Sequence, residues 1–327
     1  MKKKFNLNTR NYKFIFVGVL WLLVASVPLF QVIVGGIGYW LHFLMLVLMY
    51  IGMASSWNII GGYTGYTSLG HNIFFGIGAY IAGMLLTYFG LSPFIGAVAA
   101  GIMASFIGLI IGFLTLRTRG TTFVIATVAL VLIFKISFDN WSFVGGTTGL
   151  FLPLPPFPPS ISTIPFYYAM LVIATGAVYL SYRVKNSKFG LGLRAIADDE
   201  VKAESSGIPI NQYKIVAFAL SAFFVGAAGA IWGYNTSYLR PVAVFSILIS
   251  SRMVIMSILG GRGTIVGPIL GAVVFKGVEE FFLSAFGGTA LNLAFTGFIF
   301  LIVLLFFPEG IVGTLDSHDR LPAIFDW

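Results

Sequence analysis

The segment RAIADDEVKAESSGIPINQYKIVAFALSAFFVGAAGAIWG, Arg194–Gly233, contains the contrast that decides the fold. Its first half is polar, and Asp198, Asp199, Glu200 and Glu204 are four of the eleven acids in 327 residues. Its second half is apolar from about 214 to 235, long enough to cross the hydrocarbon core as a helix, which takes about 20 residues. The polar half reads as a helix of about two turns, too short to span and too charged for lipid. Asp198 is placed to cap its N-terminus, accepting from backbone N–H groups. Asp199 and Glu200 fall in the first turn, where the helix dipole favours negative charge. Glu200 and Glu204 are four apart on one face, with Lys202 beside them. Gly207 suits the C-terminal cap and Pro209 stops any continuation. Composition alone leaves two readings, a solvated connector or a knob that docks on a partner.

The apolar half is typical of the chain, which is 58% hydrophobic, 16% aromatic and 9% charged, with a mean hydropathy of +0.96. That excludes a soluble domain of this length. The apolar runs are continuous, so helices rather than barrel strands satisfy the backbone in lipid. We therefore expect an all-α polytopic membrane protein with about ten transmembrane or re-entrant helices. They are placed at about 14–34, 39–60, 71–89, 93–116, 121–138, 165–182, 214–235, 245–259, 264–283 and 289–308. The first is too long for a signal peptide's apolar core and reads as a retained span.

The net charge of +8 is explained by topology, without nucleic acid as a partner. With residues 1–13 as a basic cytoplasmic N-terminus, alternation puts Arg117, Arg119, Arg183, Lys185, Lys188, Arg194, Lys202 and Arg262 inside, as the positive-inside bias requires. The transmembrane domain is then 14–313, with 183–213 a cytoplasmic loop, 139–164 an external Pro-rich loop and 314–327 a cytoplasmic tail. Both termini are cytoplasmic in this scheme. The prolines of PLPPFPPSIS, 153–162, forbid a helix and favour extended geometry; the loop is a stiff connector or a docking surface.

Glycine numbers 39 and is concentrated in IIGGYTGYTSLGHNIFFGIGAYIAG, 59–83, and LGGRGTIVGPILGA, 259–272. Gly108/Gly112 and Gly267/Gly271 have the spacing of close helix packing. Gly65, Ser68, Gly70, His71, Gly260, Gly261 and Gly263 are candidates for helix breaks or for the lining of a pathway. His71 also reads as an ordinary packed or hydrogen-bonded histidine.

Catalytic patterns are missing. No phosphate-cradling GxxxxGK[ST] loop occurs, so the chain does not bind or hydrolyse ATP by that route. There is no metal-ligand cluster, no cofactor motif, no nucleophile elbow and no cysteine. Lys135 and Asp139 are spaced to pair, as are Lys276, Glu279 and Glu280, here read as interfacial pairs and snorkelling side chains. Arg252 is near the middle of an apolar run. Either it faces the interior with a carboxylate or carbonyl partner, or its segment is a short broken helix that starts near water.

Several stretches together resemble one family. Arg194–Gly233, GYTSLGHNIFFGIGAYIAG at 65–83, GGTTGL at 145–150, GGRGTIVGPILGAVV at 260–274 and FFPEGIVG at 306–313 are similar, in order, to branched-chain amino-acid ABC transporter permeases of the LivM type. The resemblance implies a permease of an ATP-driven importer in the bacterial cytoplasmic membrane. It implies two cytoplasmic ABC ATPase subunits that bind ATP-Mg, a second related permease, and an extracytoplasmic substrate-binding protein. Asp198–Gly207 would be the coupling helix that docks on the ATPase, with Asp198, Asp199, Glu200, Lys202, Glu204 and Gly207 as its residues. Two positions depart from the family, Thr148 and Arg252, where an acid is usual. Permeases for urea, short amides or other amino acids are the alternative within the family, and an ion-coupled secondary transporter is the alternative outside it.

Overall fold

A computed structural model of the chain describes residues 7–33, 35–159, 161–288 and 309–317, with single residues and pairs between 291 and 305. The N-terminal helix α1 is Leu7–Ile33, and it is followed by α2 (Gly38–Gly61), α3 (His71–Phe89), α4 (Pro93–Thr115) and α5 (Gly120–Asp139). After a short strand β1 (Leu150–Phe151) come α6 (Thr163–Lys185), α7 (Lys188–Asp198), α8 (Glu200–Ser205) and α9 (Ile210–Thr236). Strand β2 (Tyr238–Leu239), α10 (Pro241–Val244), α11 (Ile247–Gly260), α12 (Val266–Phe286) and α13 (Gly310–Ser317) complete the described chain.

The protein is an all-α multi-pass membrane protein. Among the described residues seven segments are long and apolar enough to span: α2, α3, α4, α5, α6, α9 and the stretch Pro241–Gly260, which takes in α10 and α11. The other segments of the expected ten are not among these seven. Among the described residues α1 has an apolar helix over Val17–Ile33, and α12 contains Lys276, Glu279 and Glu280. The last expected segment, 289–308, lies largely outside the described residues.

Helix α9 is the axis of the bundle, packing along α4 and α3 and also against α2 and α6. Small residues permit this. A side chain at Gly78 or Gly229 would strike the backbone carbonyl of Gly226 or Phe75 at 2.0 Å, so these backbones touch without side chains between them. The α11–α12 hairpin uses the same device. A Cβ at Gly271 would lie 1.8 Å from the Met256 carbonyl. Gly108 fits against Ala219 and Ala222 of α9.

Helix ends alternate between two faces of the bundle. At the first, the α2–α3 and α4–α5 connections meet the 186–209 segment, and the α11–α12 connection meets the end of α2. This end collects Arg117, Arg119, Arg183, Lys185, Lys188, Arg194, Lys202 and Arg262. At the opposite end, β1 and β2 pair antiparallel with Leu150 opposite Leu239 and Phe151 opposite Tyr238. The GGTTGL turn before β1 is tight. Gly145 has φ +85°, and a Cβ there would lie 2.1 Å from the Gly149 carbonyl. The Tyr238 hydroxyl donates to the Thr148 carbonyl at 2.6 Å, tying this turn to the end of α9.

Candidate functional site

The 183–213 region is more ordered than a loop. Ser187 caps α7, its hydroxyl accepting from Gly190 N–H at 3.1 Å. Helix α7 then runs to Asp198, and the backbone extends at Asp199, φ −161° and ψ 109°. Asp199, not Asp198, therefore caps the short helix. Its carboxylate accepts from the backbone N–H of Val201 at 3.0 Å and of Lys202 at 3.1 Å. Asp198 is the exposed last residue of α7. The Lys202 backbone bond, with the Lys202 ammonium and the Val201 N–H, holds the Asp199 carboxyl below its ordinary value. Helix α8 ends at Ser205, and Gly207 at φ +83° returns the chain through a left-handed turn in which Ile208 N–H bonds the Ala203 carbonyl at 3.1 Å. Ile196, Ala203 and Ile210 form a small apolar core beneath, so α7, α8 and the start of α9 hold together as one unit.

Glu200 anchors that unit to the spans. One carboxylate oxygen lies 2.6 Å from Arg119 Nε, just before α5. The other accepts from the Tyr66 hydroxyl at 2.5 Å, in the α2–α3 connection, and lies 3.3 Å from Lys214 Nζ on α9. Lys214 also donates to the Tyr66 oxygen at 2.8 Å. Burial raises the Tyr66 pKa, and its bond to Glu200 raises it further, so the phenol stays a neutral donor. The Lys214 side chain is 2% exposed and Glu200 10%. Removing either partner would strand the other's charge in a medium that solvates it poorly.

The sequence placed Glu200 on a face with Glu204. The structure turns Glu200 inward and leaves Glu204 and Lys202 exposed. Asp198, Val201, Lys202, Glu204 and Ser205 make up the outward surface, and Val201 is a large aliphatic residue 65% exposed there. A cleft of about 390 Å³ lies between this unit and the bundle, lined by Gly65, Tyr66, Arg119, Phe123 and residues 196–201.

The two glycine clusters meet at the same end. Gly65, Gly261 and Gly263 have positive φ and lie in the connections between helices. Asn58 of α2 latches them, donating to the Thr264 carbonyl at 2.8 Å and accepting from Gly263 N–H at 3.0 Å and Ser257 Oγ at 3.2 Å. Arg262 donates to the Gly61 carbonyl at 2.8 Å. Gly260 packs directly on the backbone of Gly267. Ser68 accepts from Trp57 Nε1 through its carbonyl, at 2.8 Å, and from Gly70 N–H through its hydroxyl, at 3.2 Å. His71 is fully buried, with Nε2 2.9 Å from Ser221 Oγ and Phe74 and Phe218 edge-on to the ring. Of the seven residues considered for a break or pathway, Gly65 borders the cleft, while His71 and Gly260 are packed core.

Arg252 faces a carboxylate. Its Nη2 is 2.6 Å from Glu279 Oε1, and its Nη1 donates to the Tyr50 hydroxyl at 3.2 Å. Lys276 is 2.6 Å from the other Glu279 oxygen. This pair is interior, with Lys276 8% exposed and Glu279 13%, which corrects the reading of the two as interfacial and snorkelling. The helix is broken as well, at Phe245–Ser246 between α10 and α11. Lys135 pairs with Asp139 at 3.3 Å.

Sequence reasoning missed Tyr66, Lys214, Arg119 and Asn58 as site residues. Lys214 and Asn58 did carry a signal, each a polar side chain at the edge of an apolar run.

The family model described as branched-chain amino acid transport system / permease component matches residues 39–304. The chain belongs to this family, as a permease of the LivM type. It is 25% identical over 294 residues to the high-affinity branched-chain amino acid transport system permease protein LivM of Escherichia coli (strain K12), covering 82% of this chain and 68% of that protein. The Salmonella typhimurium LivM is 24% identical over 305 residues, 85% of this chain and 71% of that one. A probable branched-chain amino acid transport permease protein LivH of Methanocaldococcus jannaschii is 26% identical over 260 residues, 72% of this chain and 80% of its own length. No solved structure matches the chain.

Proposed function

We propose that this permease imports branched-chain amino acids across the bacterial cytoplasmic membrane, driven by ATP that partner subunits hydrolyse. In this reading the basic end of the bundle is cytoplasmic, the domain limits are those set out above, and both termini are cytoplasmic. Two ABC ATPases bind ATP-Mg and grip the outward surface of the α7–α8 unit at Asp198, Val201, Lys202 and Glu204. Asp199 and Gly207 set the limits of that helix. A second, related permease completes the membrane part, and a binding protein delivers cargo at the β1–β2 end.

One observation carries the coupling step. Glu200 joins α8 to three separate parts of the bundle, before α5, between α2 and α3, and on α9. A pull on α8 therefore reaches spans that are far apart in sequence, and a packed bundle answers by rocking between two arrangements. A passive connector has no need of a carboxylate buried among two cations and a phenol. The test is mild purification of the tagged protein from its own membrane, with co-purifying chains identified by mass, followed by uptake of labelled L-leucine in proteoliposomes. An ATPase, a second permease and ATP-dependent uptake are expected. A chain that emerges alone, or uptake driven by an ion gradient without ATP, contradicts the reading.

A further inference from the structure

A second charged cluster lies away from α8, deep in the bundle. Arg252 is in the middle of the Pro241–Gly260 span, and Lys276 is midway along α12. With Tyr50 of α2 they border a cleft of about 290 Å³, at the small end of ligand cavities, and both pair with Glu279 behind it. Its other walls are apolar or weakly polar, including Met49, Phe75, Trp232, Leu248 and Ser246.

The charges in this cleft do not cancel. Arg252 and Lys276 contribute two positive charges and Glu279 one negative. Glu280 is turned away, accepting from the Tyr39 hydroxyl. Both Glu279 oxygens are occupied, one by Arg252 and one by Lys276. Arg252 is not exhausted. Its guanidinium has five N–H donors, of which the Tyr50 and Glu279 contacts take two, and its side chain is 30% exposed while Lys276 is 8%. An ionised side chain this deep is costly and is kept where it lines a wet cavity or meets a substrate.

We infer that this cleft is a passage site for the cargo, in which the spare donors of Arg252 hold the cargo's carboxylate while Phe75, Trp232 and Leu248 meet its apolar side chain. Glu279 and Tyr50 position Arg252. The inference rests on the transport reading above and adds the chemistry of recognition inside the membrane. A planar guanidinium pairs bidentately with a carboxylate, and an aromatic and aliphatic wall suits a small apolar side chain. Cargo without an anionic group, such as urea or an amide, can accept a hydrogen bond from this cation but forms no ion pair with it.

The chain has no cysteine, so a single introduced thiol reports on the cleft alone. Ser246→Cys, with Ala243→Cys as an independent second position, is placed in the full transporter complex in proteoliposomes. Each is treated with an anionic sulfonatoethyl and a cationic trimethylammonium-ethyl methanethiosulfonate, and labelling of this chain is read by mass. With each rate taken relative to that reagent's rate with a free thiol in solution, we expect the anionic reagent to react about tenfold faster, as a positive cleft concentrates anions. Arg252→Gln should bring the two rates close together, and Arg252→Lys should keep the preference. L-leucine should slow labelling, and isoamylamine, which is leucine without its carboxylate, should not. Equal rates at both positions, no labelling at either, or a preference that survives Arg252→Gln overturns the inference. Equal protection by isoamylamine overturns the carboxylate assignment. A complex that takes up no L-leucine but keeps the Arg252-dependent preference refutes the cargo and leaves the anion-attracting cleft standing. Leucine uptake with equal labelling does the reverse.

Discussion

The permease buries two clusters of the same composition. At the basic end Glu200 is held by Arg119, Lys214 and Tyr66. In the bundle Glu279 is held by Arg252 and Lys276, and Arg252 by Tyr50. Each is a carboxylate between an arginine and a lysine with a phenol alongside, and each has one cation more than it needs. The placement of the spare exposure differs. At the basic end Arg119 is 60% exposed and rests at the surface. The deep cluster's arginine is 30% exposed and opens into a cleft. The first cluster joins a short polar helix to the spans, and the second joins α2, α11 and α12 beside a cavity. Identical chemistry can therefore serve as a mechanical tie in one place and as a receptor for an anion in another, according to which member faces water.

The comparison breaks most sharply if the ties are cut. Glu200→Ala leaves Lys214 buried without its counter-charge, and we expect a loss of about 3 kcal/mol, read as a lower melting temperature of the purified complex. Adding Lys214→Met should recover most of that stability, because an apolar replacement of a buried pair is often neutral. No destabilisation by Glu200→Ala would show that the carboxylate is not a tie. Arg252→Leu is the matching experiment in the bundle. Glu279 keeps Lys276, so the loss should be smaller, about 2 kcal/mol, in the range of one charged hydrogen bond. If Arg252→Leu costs more than Glu200→Ala, the ranking of the two clusters is reversed. The Asn58 latch joins the two glycine-rich turns without charge. Asn58→Ala should cost about 1–2 kcal/mol, and Asn58→Asp should fail to replace it because the donation to the Thr264 carbonyl is lost.

The smallest effect belongs to the cap of α8. Asp199 is held below its ordinary pKa by backbone donors, so its contribution is complete above the unfolded value of about 3.9 and is lost as pH falls through the lower folded value. Hydrogen exchange at Val201 and Lys202 should be unchanged between pH 5 and 8 once corrected for intrinsic rates, and should quicken only below about pH 4. Asp199→Ala should quicken it at every pH. Protection that persists in Asp199→Ala would exclude the cap.

Local chemistry was readable and long-range pairing was not. For the seven spans found among the described residues the apolar runs gave the limits to within a few residues, because hydrophobic length is a property of contiguous residues; the remaining three of the ten were not among them. The short acidic helix was also visible, although its cap was placed at Asp198. Two adjacent aspartates are equivalent to a pattern, and only the extended backbone at Asp199 separates them. Helix α7 was read as loop, since its basic, glycine-containing sequence has no span-like character. Its Ser187 cap and its apolar face toward Ile210 and Tyr213 explain it afterwards. Glu200's partners could not be found by inspection. Tyr66 is 134 residues away and Lys214 is 14, across a turn. Arg252 stayed open between two readings because its partner is on the other arm of a hairpin, and both features are present, a carboxylate and a broken helix. The carbonyl of Thr148 is held by Tyr238, a contact that its side chain does not make.

The most direct test of the account places Glu200→Gln with Lys214→Met in the reconstituted complex and measures ATP hydrolysis and L-leucine uptake in the same vesicles. If Glu200 transmits the motion of α8 to the spans, hydrolysis continues while uptake falls at least tenfold, about 1.4 kcal/mol or more of lost coupling. Uptake at the wild-type rate per ATP hydrolysed would contradict it.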